Sequence, residues 1–324
     1  MIVFRDPAEV PADFGPSVVA IGKFDGVHTG HRAVIDRARV DAATGGAQVV
    51  AVTFDRNPLA LLRPEICPDS LIGVHQKLTL LAHAGVDATL VLRFDEELAA
   101  LSPRAFVEHV LADRLGTRVV LVGEDFRFGH RGAGDPATLA ALGDEFGFAV
   151  EVVGDVRAID GDRRVSSTWI REALSDGDVD TAAKLLGRYP SVWGEVVHGL
   201  KRGRALGFPT ANLSPDLEGF VPAEGVYAGW LIDEGPLDAD RPAASQRSIR
   251  YPAAISIGTN PTFDDVTARQ VEAYVLDETD LDLYGHRVEV RFSSRIRGMV
   301  AFSGIEALIE QIADDVVRVR EHLA

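Results

Sequence analysis

The pattern of apolar residues changes near residue 187, and this change constrains the fold more than any other feature of the sequence. Between residues 17 and 186, short apolar runs alternate with segments of helical periodicity. Such alternation with short connections predicts a parallel β-sheet covered by helices on both faces. Beyond Gly187, short strand-like segments are separated by Gly, Pro and Asp, as is typical of a small antiparallel barrel. We therefore expect two domains, residues 1–186 and residues 187–324.

The first domain is predicted to be a Rossmann-like, doubly wound α/β domain. Its predicted strands are Val18–Ile21, Val49–Phe54, Thr89–Leu92, Val119–Val122 and Val150–Val153. Its predicted helices cover about 31–43, 75–84, 103–115 and 136–146. Two of these helices begin at an N-cap residue followed by proline, Ser102-Pro103 and Asp135-Pro136.

The second domain is predicted to be an antiparallel β-barrel closed by a C-terminal helix at about 304–322. Its strand-like segments are at 192–198, 226–232, 252–258, 270–276 and 286–292. The polar segment Asp233–Arg250 is predicted to be a long hairpin loop between barrel strands.

Charge and composition exclude several classes of protein. Lys plus Arg number 33 against 49 Asp plus Glu, so the formal net charge is −16, and a nucleic-acid partner, which requires a basic face, is not expected. No apolar run approaches the ~20 residues of a membrane span, and the N-terminus lacks the order of a signal peptide. Cys67 is the single cysteine, which excludes an internal disulfide and a cysteine-based zinc site. We expect a cytoplasmic protein, and the sequence is compatible with a homo-oligomer.

A glycine-rich turn follows the first predicted strand and precedes a helix. Glycines there let backbone N–H groups approach phosphate oxygens, and the helix N-terminus adds partial positive charge. Two imidazoles three residues apart, His28 and His31, can stabilise charge on an α-phosphate, although a turn with solvated histidines is the alternative. The other candidate nucleotide-binding residues of this turn are Gly22, Phe24, Asp25 and Gly26.

Two further polar clusters follow later strands of the first domain. One follows the fourth strand, at the edge of a parallel sheet where ligands bind; its candidate residues are Asp125, Arg127 and Phe128. The other combines a guanidinium, hydroxyls and a helix start, which suit triphosphate oxygens; its candidates are Arg164, Ser166, Ser167, Thr168 and Arg171. A structural ion pair and an ordinary N-cap remain alternatives for these clusters.

A basic, glycine-rich stretch opens the second domain. Its glycines free the backbone, its cations attract phosphate, and Thr210 and Asn212 offer oxygens suited to Mg²⁺ and ATP phosphates. A basic barrel hairpin is the alternative. The candidate nucleotide-binding residues are Gly199, Lys201, Gly203, Arg204, Gly207, Pro209, Thr210 and Asn212.

Glu272 is the candidate general base of the second domain. Strand alternation places Glu272 and Tyr274 on one face of the strand. The opposite face carries Val271, Ala273 and Val275. If the carboxylate lies inside the barrel it needs a chemical role, and it can take a proton from an alcohol attacking a γ-phosphate. An outward, solvated glutamate is the alternative.

At these residues the sequence resembles the bifunctional riboflavin kinase/FMN adenylyltransferases, the prokaryotic FAD synthetases. The first domain has their G-x-F-D-G-x-H-x-G-H and S-S-T-x-x-R motifs, as in nucleotidyltransferases, and the second has G-F-P-T-A-N-L. The resemblance implies phosphorylation of riboflavin to FMN, adenylylation of FMN to FAD, ATP as co-substrate, and Mg²⁺. It adds Tyr227 and Asn260 to the candidate site. The family's T-F-x-P-H-P motif reads Thr53-Phe54-Asp55-Arg56-Asn57-Pro58 here, and Asn57 can still donate a hydrogen bond.

Two other functions remain open at this point. Because the Thr53–Pro58 motif is altered, the chain could act as a riboflavin kinase alone. A flavin-binding or flavin-sensing protein without turnover is a different class, and a mere binder needs no base such as Glu272.

Overall fold

The computed structural model describes residues 1–157, 163–199, 207–236, 248–259, 269–278, 281–302 and 304–324. The chain forms two compact units, Met1–Ser167 and Thr168–Ala324. Within the described residues, no helix combines the length and apolar character that crossing a bilayer requires.

The first unit is built on a six-stranded sheet in which every pair of neighbours is parallel. The strands are β1 (Ile2–Phe4), β2 (Ser17–Ile21), β3 (Gln48–Phe54), β4 (Ala88–Leu92), β5 (Thr117–Gly123) and β6 (Ala149–Val153). All five residues of β2 and of β4 are buried, as expected for a parallel sheet covered on both faces. The five predicted strands are confirmed, and β1 is an additional short edge strand.

Helices pack on this sheet and provide its connections. They are α1 (Thr29–Gly45), α2 (Leu59–Leu62), α3 (Val74–His83), α4 (Glu96–Ala100), α5 (Pro103–Phe106), α6 (Asp113–Leu115) and α7 (Pro136–Phe146). The predicted caps are present, because Ser102 accepts from the backbone N–H of Ala105 and Asp135 from that of Thr138. The helix predicted at 103–115 is interrupted: a π-helical segment, Val107–Ala112, separates α5 from α6 and buries Val107, Val110 and Leu111.

The strand order β1-β4-β3-β2-β5-β6 reverses direction between β2 and β5. The chain passes from β2 to β3 on one side and later to β5 on the other, so the loops after β2 and β5 diverge. This divergence leaves a crevice at the carboxyl ends of the strands, where doubly wound folds bind ligands. The outer strand β6 is tied to α1 by a bidentate pair between Arg37 and Glu151, at 2.7 and 3.0 Å.

The second unit begins with two helices, α8 (Ser167–Asp176, whose first residue belongs to the first unit) and α9 (Val179–Leu186). Arg295 donates to the carbonyl of Asp176 at the end of α8, and the N–H of Ala223 donates to the carbonyl of Leu174. These contacts tie α8 to the barrel, α9 packs against β12, and apart from Ser167 both helices lie in the unit that contains the barrel. The two compact units divide between Ser167 and Thr168, and the domain limits at residues 186 and 187 stay a prediction.

Six antiparallel strands form the predicted closed barrel in the order β10-β11-β8-β7-β12-β9. They are β7 (Ser191–Val197), β8 (Thr210–Leu213), β9 (Gly225–Pro236), β10 (Ile249–Thr259), β11 (Arg269–Val275) and β12 (His286–Arg297). The loop predicted at Asp233–Arg250 is wrong at both ends, because β9 runs to Pro236 and β10 starts at Ile249. Asp233 pairs with Ile249 and binds the His286 ring at 2.9 Å, so its polarity does not end the strand; residues 237–247 lie outside the described ones.

The predicted C-terminal helix is α10 (Ile305–Leu323), which packs on the outside of β9, β10 and β12. A small apolar cluster of Ala228, Leu276 and Val319 joins it to the barrel. Asp315 on α10 is 3 % exposed and accepts from Arg297 Nε and Nη2 on β12, at 2.9 and 2.7 Å. This ion pair fixes the helix to the barrel through a carboxylate that is itself buried.

Replacing Asp315 by alanine should therefore destabilise the second unit by about 1.5–3 kcal/mol, because the half-buried guanidinium of Arg297 would lose its charged hydrogen-bond acceptor. The three tryptophans, at 169, 193 and 230, all lie in this unit, so urea denaturation followed by tryptophan fluorescence reports on it. Asp314→Ala, at the exposed neighbouring position, is the control and should cost less than about 0.5 kcal/mol. Equal midpoints for the two variants would contradict this role.

Candidate functional site

His28 caps the N-terminus of helix α1 in the first unit. Its Nδ1 accepts a hydrogen bond from the backbone N–H of His31 at 3.3 Å, and the two rings stack with centroids 3.7 Å apart. Because Nδ1 is the acceptor, the neutral ring carries its proton on Nε2. His28 thus presents an N–H donor beside the helix N-terminus, where an anion is favoured.

The two histidines require the glycine between them. A Cβ on Gly30 would lie 3.1 Å from Cε1 and Nδ1 of His28, closer than ordinary contact. The preceding turn is strained as well, since Phe24 and Val27 have φ of 48° and 39° although neither is glycine. Both side chains are 1 % exposed, and the Phe24 ring packs edge-on against His31. Strain held in place by burial is characteristic of binding loops.

Hydrogen bonds from other elements hold this turn in position. Asp25 accepts from the N–H of Leu71 at 2.8 Å through its carboxylate, and from Ser167 Oγ at 2.9 Å through its carbonyl. Thr53 Oγ1, near the end of β3, donates to the carbonyl of Lys23. Asp25 and Ser167, both predicted site residues, are therefore brought together. Gly26 adopts φ of 85°, and Gly22 lies next to the Phe24 ring.

Lys77 is a residue of this region that the sequence analysis missed. Its side chain on α3 is buried, and Nζ donates to the carbonyl of Phe54 at 3.0 Å. Burial lowers the pKa of Lys77, and the nearby carboxylates of Asp25 and Asp55 oppose that shift. A buried ammonium beside two carboxylates neutralises an edge of the sheet that would otherwise repel phosphate.

Replacing Lys77 by methionine should destabilise the first unit by roughly 1–3 kcal/mol, because the Phe54 carbonyl would lose a charged hydrogen-bond donor at a partly buried position. With no tryptophan in this unit, the loss should appear in urea denaturation followed by far-ultraviolet circular dichroism, with the tryptophan transition unchanged. Lys184→Met, the same substitution at an exposed site on α9, provides the control. If the urea midpoints of both transitions in Lys77→Met equal those of the parent, Lys77 does not stabilise the first unit.

The polar residues after β5 and β6 meet through Arg164. Its Nη2 donates to Asp125 at 2.7 Å and its Nη1 to Asp155 at 3.3 Å. The Arg164 guanidinium holds the pKa of Asp125 below its usual range. Two predicted site residues from distant parts of the sequence thus lie together at the carboxyl ends of the strands.

Three other predicted residues of this region, Arg127, Phe128 and Asn57, make local contacts. Phe128 is 6 % exposed and belongs to the core, stacked on Phe126, while Arg127 donates to the Phe126 carbonyl. Asn57 Oδ1 accepts from the N–H of Leu59 and so starts the short helix α2. Ser166 precedes α8, and Thr168 and Arg171 follow in its first turn and a half, three residues apart on one face.

The second unit brings Thr210, Asn212 and Glu272 together on neighbouring strands. Glu272 on β11 lies opposite Asn212 on β8, and Thr210 Oγ1 donates to Glu272 Oε2 at 3.4 Å. Asn212 Nδ2 donates to the carbonyl and to Oγ1 of Thr210, at 3.2 and 3.3 Å. A carboxylate, a hydroxyl and an amide thus form one connected polar group.

This group lies on the outer face of the barrel, so the interior position considered for Glu272 is wrong. Val271 and Ala273 are fully buried and fill the core, and alternation along β11 turns Glu272 the other way. Glu272 is half-buried rather than solvated. Asn212 is only 7 % exposed, and a Cβ on Gly199 would overlap its side chain at 2.5 Å. The glycine lets the chain pass close to the amide.

The remaining predicted residues of this unit divide into three groups. Gly207 has φ of 88° and Pro209 directly precedes β8. Tyr227 has no exposed surface, and its hydroxyl donates to the Ala223 carbonyl, so this geometry supports a packing role instead of a ligand contact. The predicted residues outside the described ones are Lys201, Gly203, Arg204 and Asn260.

Comparisons with known proteins match two different family models to the two halves of the chain. Residues 10–169 match the family model for FAD synthetase, and residues 186–323 match that for riboflavin kinase. Bifunctional riboflavin kinase/FMN adenylyltransferases from Escherichia coli K12 and Bacillus subtilis are 36 % and 33 % identical, over 94 % and 92 % of this chain and 92 % and 90 % of theirs. The same enzyme of Pseudomonas fluorescens is 38 % identical over 94 % of this chain and 92 % of its own.

A solved structure has the same fold along the whole chain. It is described as a macrolide-efflux protein from Streptococcus pneumoniae, with a TM-score of 0.81, 29 % identity and 98 % coverage of both chains. The two family models, together with relatives above 30 % identity over nearly the whole length, place this chain in the family of bifunctional riboflavin kinase/FMN adenylyltransferases.

Proposed function

We propose that this chain converts riboflavin to FMN and FMN to FAD, each with ATP, at one site in each unit. The observation that carries this proposal is that two separate phosphate-directed groups occur: the capped helix at His28 and the Thr210–Asn212–Glu272 group. Two different phosphoryl chemistries need two such groups, and each has the residue types that its reaction requires.

In the kinase reaction, Glu272 acts as the general base. Its carboxylate accepts the proton of a ribityl hydroxyl while that oxygen attacks the γ-phosphorus, the bond to the β–γ bridging oxygen breaks, and ADP leaves. The Thr210 hydroxyl, which donates to Oε2, orients the carboxylate. Half-burial keeps Glu272 close to its partners and accessible to a substrate.

Thr210 and Asn212 are suited to holding Mg²⁺ together with ATP. Hydroxyl and amide oxygens are hard donors of the kind that Mg²⁺ binds, and hydrogen bonds with each other hold these two side chains in place. Both are neutral, so phosphate oxygens and water must complete the coordination. Bound there, the ion would neutralise charge on the transferred phosphoryl group.

In the adenylyl transfer, the FMN phosphate is already anionic and needs no base. One of its oxygens attacks the α-phosphorus of ATP, the bond to the α–β bridging oxygen breaks, and pyrophosphate leaves. His28 Nε2–H donates to the α-phosphate as charge accumulates, and the N-terminus of α1 adds to this stabilisation. The stacked His31 ring holds His28 in place and lies at the same phosphate.

The setting of the enzyme follows from its substrates. We assign it to the cytoplasm, where ATP is produced, and a single cysteine suits a reducing compartment. Its partners are riboflavin, FMN and ATP, and a homo-oligomer is compatible with this chemistry.

Incubation of the purified protein with riboflavin, ATP and Mg²⁺, followed by separation of the flavins, tests the proposal directly. FAD supports both activities. FMN alone would show that the second step is inactive, the outcome expected if the altered Thr53–Pro58 motif abolishes it, and unchanged riboflavin would identify a binding protein without turnover.

Replacing His28 by asparagine should reduce FAD formation from FMN about 10²–10³-fold and leave FMN formation near normal. Asparagine is a good N-cap and can still accept from the His31 N–H, so the helix is retained while the distal donor is lost. The rate of each reaction is measured separately, with exposed His83→Ala as the control. Undiminished FAD synthesis in the asparagine variant would refute the assigned role.

Replacing Glu272 by glutamine should slow riboflavin phosphorylation ~10²–10⁴-fold, because the amide cannot accept the proton of the attacking hydroxyl. The amide oxygen can still accept from Thr210, so the local structure is kept. FMN-to-FAD conversion in the same sample should be unchanged. Glu278→Gln, at an exposed position just after β11, should behave like the parent; parental kinase rates in Glu272→Gln would exclude Glu272 as the base.

A further inference from the structure

Gln270 extends the polar group of the second unit by one residue. It lies on β11 two positions before Glu272, and therefore on the same face of the strand. Its Nε2 donates to Asn212 Oδ1 at 2.9 Å. A continuous chain of hydrogen bonds thus runs from Gln270 through Asn212 and Thr210 to Glu272.

The direction of these hydrogen bonds is fixed by the chemistry of one acceptor. The carbonyl of Thr210 can only accept, so the Asn212 group 3.2 Å from it must be the NH₂ group. Asn212 Oδ1 therefore faces Gln270, which must present its own NH₂ group. The Thr210 carbonyl and Gln270 thus bind opposite ends of the Asn212 amide, and the Gln270 donor holds the oxygen end in place.

Burial makes Asn212 Oδ1 depend on Gln270 for a hydrogen-bond donor. Asn212 is 7 % exposed, so water cannot readily replace a lost donor at Oδ1. An amide oxygen has two lone pairs, so Oδ1 can accept from Gln270 and still face a cation. A residue that orients a metal-binding oxygen in this way tunes metal affinity without touching the metal.

We propose that Gln270 is a positioning residue of the kinase site, which orients the Asn212 amide so that its oxygen faces the Mg²⁺ of bound nucleotide. This inference rests on the proposed function, because it requires Asn212 to take part in Mg²⁺–nucleotide binding. Gln270 itself contacts neither the metal nor the reacting atoms.

The test measures ADP binding by calorimetry with Mg²⁺ and with chelator, for the full-length parent, Gln270→Met and Gln270→Glu. In the parent, Mg²⁺ should tighten ADP binding. Both variants lack the donor, so this enhancement should fall about 10–100-fold, with ADP affinity in chelator unchanged. In the kinase reaction, the Mg²⁺ concentration that gives half-maximal rate should rise, and the KM for riboflavin should stay the same.

The glutamate variant separates orientation from charge. A carboxylate at 270 cannot donate to Asn212 Oδ1, so the proposal predicts weaker Mg²⁺-dependent binding, whereas simple attraction of the cation predicts stronger binding. Strengthened or unchanged enhancement in Gln270→Glu, or unchanged enhancement in Gln270→Met, would overturn the proposal.

The Thr210→Ala variant separates a failure of this proposal from a failure of the proposed Mg²⁺ site on which it rests. If Thr210→Ala loses the Mg²⁺ enhancement and the Gln270 variants keep it, only the role of Gln270 is wrong. If Thr210→Ala also keeps the enhancement, the metal assignment fails and the inference fails with it. Thermal unfolding followed by tryptophan fluorescence checks that each variant barrel is folded.

Discussion

The first unit depends on a helix that begins at a histidine instead of at a hydroxyl or carboxylate side chain. The cap hydrogen bond uses Nδ1 of His28, which places the remaining ring proton on Nε2 and directs a donor toward an anion at the helix end. The same bond sets the spacing of the motif. His31 must be the N3 residue that donates to the cap, and Gly30 must leave room for the ring.

Both proposed sites bind highly anionic substrates in a chain whose net charge is −16. Long-range attraction therefore gives little help, and affinity must come from short-range donors and local neutrality. In the first unit Lys77 offsets Asp25 and Asp55, and Arg164 holds Asp125 and Asp155. In the second, the Thr210 and Asn212 side chains are neutral and Glu272 supplies the negative charge.

The sequence predicts the order of elements well, because periodicity and caps act locally; the Ser102 and Asp135 caps occur where they were expected. It misses β1 and β8, which have three and four residues, too few for alternation to stand out. Motifs lead to His28 and Glu272. Sequence patterns do not identify Lys77 and Gln270, because their roles depend on hydrogen-bond partners 23 and 58 positions away in the sequence.

The strand pairings determine where this protein could add strands from another molecule. A closed barrel has no edge strand, so among the described strands only β1 and β6, the outermost strands of the parallel sheet, are edge strands. Strand β1 is apolar, and Ile2 is 53 % exposed, but the strand is only three residues long. Strand β6 carries Glu151, which pairs with Arg37. A short edge and a charged edge are two devices by which sheet proteins resist aggregation through edge-to-edge pairing.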